Sequence, residues 1–174
     1  NSERLDTVPG SNNAFLNNEI SGFGYGIVSM GIGMAIKSNV YQGYYTKGSQ
    51  ISGNMITNVR AAGIFVGYED GAVISGNRIY NVGTQATGGT NVDAAGIVAG
   101  GVNRYNNTNL KIRGNEISSV VGDLWSRGIS VEQVRNSFPS ITAGGNTYFP
   151  NIPEATQITN NAIWGIRRQT STTN

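Results

Sequence analysis

The sequence lacks cysteine and histidine, and it contains little proline and little charge. Of its 174 residues none is Cys or His, 4 are Pro and 13% are charged, with a formal net charge of +2. These absences exclude disulfides, thiolate metal sites and catalytic triads that contain histidine. The sparse basic residues form no stripe, which argues against nucleic acid as a partner. No apolar run reaches the roughly 20 residues that a membrane-spanning helix needs.

Glycine is abundant, and β-branched residues recur among the 25 glycines at regular intervals. This pattern favours short strands joined by turns over a flexible linker, because Gly and Asn tolerate the positive φ that tight turns require. The chain begins at Asn1 rather than at Met. We therefore expect a processed product or a piece of a larger protein.

Two short motifs alternate along the chain. The first is Gly or Asn, then Asn, any residue and Ile, and its copies are Asn17-Asn18-Glu19-Ile20, Gly53-Asn54-Met55-Ile56, Gly76-Asn77-Arg78-Ile79, Gly114-Asn115-Glu116-Ile117 and Asn160-Asn161-Ala162-Ile163. A Gly-Ile motif follows each copy, at Gly26-Ile27, Gly63-Ile64, Gly96-Ile97, Gly128-Ile129 and Gly165-Ile166. Five alternations of two motifs predict a repeat protein.

The spacing of the repeats predicts the architecture. Successive Asn residues of the first motif lie 36, 23, 38 and 46 positions apart. An interval of 23 suits one coil of a β-helix, while the longer intervals suit one coil with an insertion or two coils. We therefore predict an all-β fold, a right-handed parallel β-helix, as a single-stranded solenoid of about six or seven coils. Residues 1–11 lead into this solenoid, 12–166 form it, and 167–174 leave it as an exit tail.

The same pattern predicts which residues are structural. Because side chains alternate along a strand, the motif isoleucines should form two inward stacks. These core stacks are Ile20, Ile56, Ile79, Ile117 and Ile163, and Ile27, Ile64, Ile97, Ile129 and Ile166. We expect the turn asparagines to adopt a left-handed conformation and to form a hydrogen-bonded ladder along the stack. The ladder residues are Asn18, Asn54, Asn77, Asn115 and Asn161.

These repeats resemble the parallel β-helix repeats of pectate-lyase-like proteins. The phrases Ala62-Gly63-Ile64-Phe65-Val66-Gly67-Tyr68-Glu69 and Trp164-Gly165-Ile166 are similar to those of secreted and cell-surface β-helix proteins of the Bacteroidota, which are cargo of type IX secretion. The resemblance covers the chain from about residue 12 onward. It implies an extracellular or cell-surface location, but the fold hosts lyases, hydrolases, epimerases, adhesins and tailspikes, so it does not identify a function.

The sequence leaves it uncertain whether the protein is an enzyme, and it favours the interpretation that it is not. A glycosidase needs two facing carboxyl groups, and the one adjacent pair, Glu69-Asp70, is more simply a polar turn. A polysaccharide lyase with an Arg or Lys base and a calcium ion is the better enzyme candidate. Glu69, Asp70 and Asp93 are its candidate calcium ligands, although no Asp-x-Asp-x-Asp arrangement is present. Its candidate cations are Lys37, Lys47, Arg60, Arg78 and Arg104. We therefore name no catalytic residue and no cofactor, and keep calcium as a minor candidate.

Tyrosines and arginines near the ends of the repeats are candidate glycan-binding residues, because sugar rings stack on aromatic faces beside polar groups. These candidates are Tyr41, Tyr44, Tyr45, Tyr68, Arg60, Arg104 and Tyr105. The competing interpretation is that the tyrosines cover the apolar stacks. Asn106 begins an Asn-Asn-Thr sequon and is a candidate glycosylation site.

The preferred function is a non-catalytic, extracellular structural or adhesive module. Its open ends would let it stack end to end into a fibre or join neighbouring coils of a longer surface protein. The alternatives are a glycan-binding module and a lyase-type polysaccharide-active enzyme. A third interpretation, a trimeric tailspike-like subunit, requires outward apolar residues, for which Val40, Val59, Val82 and Val120 are candidates.

Overall fold

The computed structural model describes residues 10–31, 33–37, 40–84, 93–100, 107–131, 141–143, 146–148 and 156–168. These residues form β-strands and no α-helix. In chain order the strands are β1 (Ala14–Leu16), β2 (Glu19–Ser21), β3 (Tyr25–Met30), β4 (Gly33–Lys37), β5 (Val40–Tyr44), β6 (Thr46–Lys47), β7 (Gln50–Ser52), β8 (Met55–Thr57), β9 (Ala62–Gly67), β10 (Glu69–Asp70), β11 (Val73–Ser75), β12 (Arg78–Val82), β13 (Ala94–Ala99), β14 (Lys111–Arg113), β15 (Glu116–Gly122), β16 (Ser126–Val131), β17 (Ile141–Ala143), β18 (Asn146–Tyr148), β19 (Gln157–Thr159) and β20 (Ala162–Arg168).

Three parallel sheets contain most of these strands. Sheet 1 has the order β1-β7-β11-β14-β19, sheet 2 the order β2-β8-β12-β15-β20, and sheet 3 the order β3-β9-β13-β16. Every pairing within them is parallel. The first four sequence repeats contribute strands to sheets 1, 2 and 3 in that order, and the described part of the fifth contributes strands to sheets 1 and 2. The prediction of an all-β fold with parallel strands is therefore confirmed.

The described residues contain five repeats, so the prediction of six or seven coils is wrong. Ile20 pairs directly with Ile56, and Ile117 pairs directly with Ile163, although these pairs are 36 and 46 residues apart. Two of the three long intervals, those of 36 and 46 residues, contain an antiparallel hairpin instead of an additional coil. One hairpin is β4–β5 and the other is β17–β18. A hairpin pairs with itself, so it lengthens a repeat without shifting the register of the parallel sheets.

The left-handed residue of the turn between sheets 1 and 2 is not the ladder asparagine, as we had expected, but the residue before it. The residues at this position, with their φ angles in degrees, are Asn17 (55), Gly53 (68), Gly76 (62), Gly114 (63) and Asn160 (53). Gly and Asn are the residues that adopt this conformation at least cost. This explains the Gly-or-Asn position of the first motif and leaves the following asparagine free to bond along the stack.

Four rows of apolar side chains run across the sheets. In sheet 1 the row is Phe15, Ile51, Ile74, Ile112 and Ile158. In sheet 2 two rows are Ile20, Ile56, Ile79, Ile117 and Ile163, and Val82, Val120 and Ile166. In sheet 3 the row is Ile27, Ile64, Ile97 and Ile129. The inner members of the isoleucine rows are no more than 1% exposed, whereas Ile158 and Ile163 in the outermost strands are 47% and 43% exposed.

The Gly165-Ile166 pair is not a fifth copy of the Gly-Ile motif, and the placement of Ile166 in the Ile27 stack is wrong. Ile166 pairs with Val120 in sheet 2. Gly165 has a φ of 65° and occupies the position of Ser119, which is also left-handed at 54°. In this repeat the glycine therefore allows the left-handed backbone conformation that kinks the strand. The Gly-Ile pair at positions 165 and 166 thus has a different physical role from the Gly-Ile pairs of the earlier repeats.

Glycines of the true Gly-Ile motif allow sheets 2 and 3 to approach each other closely. A Cβ added at Gly96 would lie 2.7 Å from the carbonyl oxygen of Gly128 and would clash with the Cγ2 of Ile117. Neither the backbone oxygen nor the packed isoleucine can move away easily. The motif is therefore a packing requirement of the core.

The valines proposed for an outward trimer interface do not lie on the surface. Val59, Val82 and Val120 have no exposed side-chain area. The side chain of Val40 lies outside the described part of the structure. The described valines belong to the core because left-handed residues one or two positions away reset the alternation of the strand.

Candidate functional site

The turn asparagines form a continuous hydrogen-bonded ladder through all five repeats. At each step the backbone N–H and the Nδ2 amide of one asparagine both donate to the Oδ1 of the next, at 2.9–3.1 Å. The other Nδ2 hydrogen donates to a sheet 1 carbonyl one repeat back, as from Asn77 to Ile51 at 2.8 Å. Asn54, Asn77 and Asn115 are at most 1% exposed. Their amides are fully satisfied inside the core, so the ladder is structural.

Glu69 is a buried carboxyl group at the corner that precedes sheet 1. Its side chain is 0% exposed, and its Oε1 accepts hydrogen bonds from Ser29 Oγ at 2.5 Å and from Ser49 Oγ at 3.2 Å. Its Oε2 has no hydrogen-bond partner among the described residues. Burial raises the pKa of Glu69, and the two serine hydroxyls partly oppose that rise. A carboxyl group sealed in this way cannot contact a polysaccharide.

Asp70 points away from this buried group and is tied to the next repeat. Its Oδ1 accepts hydrogen bonds from Thr108 Oγ1 at 3.0 Å and from Asn109 Nδ2 at 2.8 Å. Asp93, the third candidate calcium ligand, lies at the start of β13 and is exposed. Within the ranges that the structure describes, no group of three Asp, Glu, His or Cys side chains could hold a metal ion.

A cluster of exposed aromatic residues lies on the outer face of sheet 3, in what we name the sheet 3 groove. Tyr25, Phe65, Asp93, Trp125 and Arg127 line it together with small residues. Tyr25 and Trp125 are 49% and 58% exposed. The groove encloses about 210 Å³. This volume is below that of most small-molecule pockets, so the groove suits a chain lying across the surface rather than an enclosed ligand.

Two ring interactions hold the aromatic side chains of the groove. The rings of Tyr25 and Phe65 meet edge to face, with centroids 6.2 Å apart. The guanidinium carbon of Arg127 lies 5.5 Å from the centre of the Trp125 ring. Arg127 Nη1 also donates to Ser130 Oγ at 3.0 Å. The guanidinium is thus positioned by two contacts before any ligand arrives, which reduces the entropy lost on binding.

An apolar strip extends the groove along β3. Val28 and Met30 are 48% and 44% exposed, and with Tyr25 and Phe65 they line a second shallow depression of about 300 Å³. The sheet 3 groove therefore has an apolar side, formed by these residues. It has a charged side, formed by Arg127 and Asp93.

The glycan-binding candidates whose side chains the structure describes do not line this groove. Tyr45 is only 4% exposed, and its ring packs edge to face against Tyr68, with centroids 6.0 Å apart. Tyr45 is therefore wrong as a sugar-stacking residue, because its faces are inside the fold. Tyr68 is half-buried, while Arg60 is exposed. The side chains of Tyr41 and Tyr44, and the whole of Arg104, Tyr105 and Asn106, lie outside the described residues.

The candidate lyase cations are also dispersed. Arg78 Nε forms a salt bridge with Glu116 Oε2 at 3.0 Å on the outer face of sheet 2. Lys47 and Arg60 are exposed on other parts of the repeats, and the side chain of Lys37 and all of Arg104 lie outside the described ranges.

A signal for the groove was present in the sequence. Tyr25 and Arg127 directly precede the glycine of a Gly-Ile motif, while Phe65 and Val98 directly follow its isoleucine. Because the motif isoleucine points inward, the residue after it must point outward. The variable residues that flank the repeated motif were therefore the positions to search for a binding surface.

Comparisons with protein-family models, with curated proteins and with solved structures returned no match for this chain. The described residues also contain no helix long and apolar enough to cross a membrane.

Proposed function

We propose that this chain is a non-catalytic adhesive module, extracellular or displayed at a cell surface, that binds carbohydrate in the sheet 3 groove. The observation that carries this proposal is the pair of exposed rings, Tyr25 and Trp125, beside the positioned guanidinium of Arg127. The proposed location rests on the resemblance of the repeat motifs to those of secreted β-helix proteins.

The framework of this module is a right-handed parallel β-helix. The first four repeats pass through sheets 1, 2 and 3 in the same order, and each repeat adds one strand further along each sheet, as the coils of a solenoid do. The described part of the fifth repeat adds strands to sheets 1 and 2. Parallel strands joined by crossover connections are right-handed in nearly all proteins, which supports that hand. A crystal structure tests both points, and a left-handed path or an open stack of separate sheets would contradict the proposal.

The chemistry of the groove suits a sugar polymer. The faces of Tyr25 and Trp125 offer apolar surfaces on which the CH groups of a sugar ring can stack. Arg127 is a forked donor that can bond to hydroxyl or carboxylate oxygens, and Asp93 is an acceptor for hydroxyl groups. The flat outer face of a sheet leaves both ends of the groove open, so an extended chain can pass through it.

A lyase-type enzyme is the alternative of a different class. Such an enzyme needs a base next to a site that neutralises the uronate carboxylate. Asp93 and Arg127 both line the groove, but Glu69 is sealed in the core and Asp70 bonds to Thr108 and Asn109. The residues of the groove are thus explained more simply by carbohydrate binding than by catalysis.

Binding is tested by affinity electrophoresis and calorimetry with a panel of neutral and acidic polysaccharides. We expect Trp125→Ala to weaken binding by about tenfold or more, because a stacking ring at the centre of a site contributes most to affinity. Leu124→Ala is the matched control, since Leu124 is 46% exposed beside Trp125 and does not line the groove.

Failure of every polysaccharide to bind would contradict the adhesive function. Formation of unsaturated sugar products, detected by their ultraviolet absorbance, would instead establish the lyase alternative.

A further inference from the structure

The two ends of the asparagine ladder have complementary unpaired groups. At the first repeat, the Oδ1 of Asn18 accepts no hydrogen bond from any described residue, although every other ladder asparagine accepts two at this atom. At the fifth repeat, no described residue accepts a hydrogen bond from the backbone N–H of Asn161, whereas the N–H of Asn115 donates to Asn161 Oδ1. One end therefore offers an acceptor and the other end offers donors.

We propose that a second copy of this chain docks head to tail, with the Asn161 end of one copy on the Asn18 end of the next. In sheets 1 and 2 the junction repeats the step that joins neighbouring repeats inside the chain, whereas the described part of the fifth repeat has no sheet 3 strand. Asn161 N–H and Nδ2 of one copy donate to Asn18 Oδ1 of the other, whose own Nδ2 donates back to the Ile158 carbonyl. The inference rests on the parallel β-helix proposed above, because a repeated step along one axis is what makes the two ends congruent.

The apolar rows continue across the same junction. Ile163 at the tail lies in the row that begins with Ile20 at the head, and Ile158 lies in the row that begins with Phe15. Ile158 and Ile163 are 47% and 43% exposed, whereas the inner members of their rows are at most 1% exposed. Docking would give these side chains the burial that the inner isoleucines have, which favours association.

The strand edges have the same complementarity. In every later repeat the residue equivalent to Ala14 donates its N–H to the repeat before it, as Gln50 does to Asn13 at 2.8 Å. Within the described ranges the N–H of Ala14, in the outermost strand of sheet 1, has no such acceptor. At the other end Thr156 occupies the acceptor position. An exposed parallel edge is a template for a further strand, and a contact between two different surfaces produces open filaments.

The test begins with the mass of the full chain in solution as a function of its concentration, by light scattering and by sedimentation. We expect the wild type to grow with concentration into rods of uniform width, visible by electron microscopy. Two lysine variants block one end each, Ile20→Lys at the head and Ile163→Lys at the tail. Each alone should weaken association by about 100-fold or more, because a buried lysine would face an apolar row.

Mixing the two blocked variants tests the polarity of the junction. A 1:1 mixture leaves one intact junction, between the free tail of Ile20→Lys and the free head of Ile163→Lys. We therefore expect a dimer that grows no further. Leu124→Lys changes an exposed apolar residue on the side of the repeats and should assemble as the wild type does.

A second head variant guards against loss of folding in Ile20→Lys. Ala14→Pro removes the unpaired edge donor, and proline is tolerated at the first residue of an edge strand. Cooperative unfolding and the far-ultraviolet spectrum establish that each variant is folded.

A wild type that stays monomeric up to its solubility limit would overturn the proposal. So would folded end variants that assemble as the wild type does, or a mixture that forms no dimer. Carbohydrate binding by the monomeric variants is measured in the same samples, so failure of self-association and failure of the adhesive function are distinguished.

Discussion

The asparagine ladder and the sheet 3 groove lie on the same repeats, but they differ in how far the residue type varies from one repeat to the next. In the ladder every repeat has asparagine, and the inner three are buried. In the groove the position before the Gly-Ile motif holds Tyr25, Ala62, Ala95 and Arg127 in successive repeats. A ladder side chain contacts copies of itself above and below, so only one residue type satisfies both neighbours. A groove side chain faces solvent and is free to vary, which is where a repeat protein can place a binding site.

Removing one rung of the ladder should have the largest effect. In Asn77→Leu, the Ile51 carbonyl, the amide of Asn54 and the Oδ1 of Asn115 all lose partners in the core. We expect the free energy of unfolding to fall by about 3–5 kcal/mol, since each orphaned buried group costs about 1–3 kcal/mol. Denaturant titration measures this change.

The control for the ladder is Asn58→Gly, which removes the side-chain bonds to Ser21 and Asn81; these are 3.4 and 3.5 Å long and not fully buried. Glycine tolerates the left-handed φ of 54° at this position. A change within about 1 kcal/mol is expected there. Equal losses in the two variants would show that burial of the ladder is not what stabilises the repeats.

Adding a side chain where sheets 2 and 3 lie close together should have the next largest effect on the free energy of unfolding. Gly96→Ala places a methyl group against Ile117 and the Gly128 carbonyl, and we expect a loss of about 2–3 kcal/mol of unfolding free energy. Gly24→Ala is the matched control, because a Cβ at Gly24 has no atom within 4 Å. If Gly96→Ala is as stable as Gly24→Ala, the Gly-Ile motif has no packing role.

Glu69 should make the stability of the repeats depend on pH. Because burial raises its folded pKa above 4.5, the folded state holds this proton more tightly than the unfolded state does. The stabilising contribution is complete below pH 4.5 and is lost as pH rises through the folded pKa. Glu69→Gln, which does not titrate, should flatten the profile of unfolding free energy against pH.

Denaturant titration of the wild type and of Glu69→Gln at a series of pH values measures the two profiles. An equally steep profile in Glu69→Gln would mean that another group is responsible for it.

The smallest effect on stability should come from the groove. We expect Trp125→Ala to change the free energy of unfolding by less than about 0.5–1 kcal/mol, because its side chain is 58% exposed, while carbohydrate affinity falls. Asn77→Leu, studied where it remains folded, should retain the affinity. The two variants therefore test whether the ladder stabilises the fold and the groove binds carbohydrate independently of each other. Loss of binding in both variants without loss of folding would show that the two regions depend on each other.

Much of the framework was predictable from the repeated motifs. Residues that return at one position in every repeat indicate parallel alignment, and the structure pairs Ile20, Ile56, Ile79, Ile117 and Ile163 in one register. The errors occurred where local sequence has two physical explanations. Gly165-Ile166 has the letters of the motif, but its glycine serves a left-handed kink. Tyr45 appeared to be a surface aromatic in an inserted segment, but its ring is 4% exposed.

The sequence by itself determined the all-β fold with parallel strands and the aligned asparagines and isoleucines, because a stacked repeat demands the same residue at every step. Only the tertiary structure decided that there are five repeats in the described residues, that two long intervals contain hairpins, and that Tyr25 and Trp125 share one face. These outcomes depend on which strands become neighbours. Residues as distant as Tyr25 and Arg127 meet because parallel stacking brings each repeat within about 4.8 Å of the next.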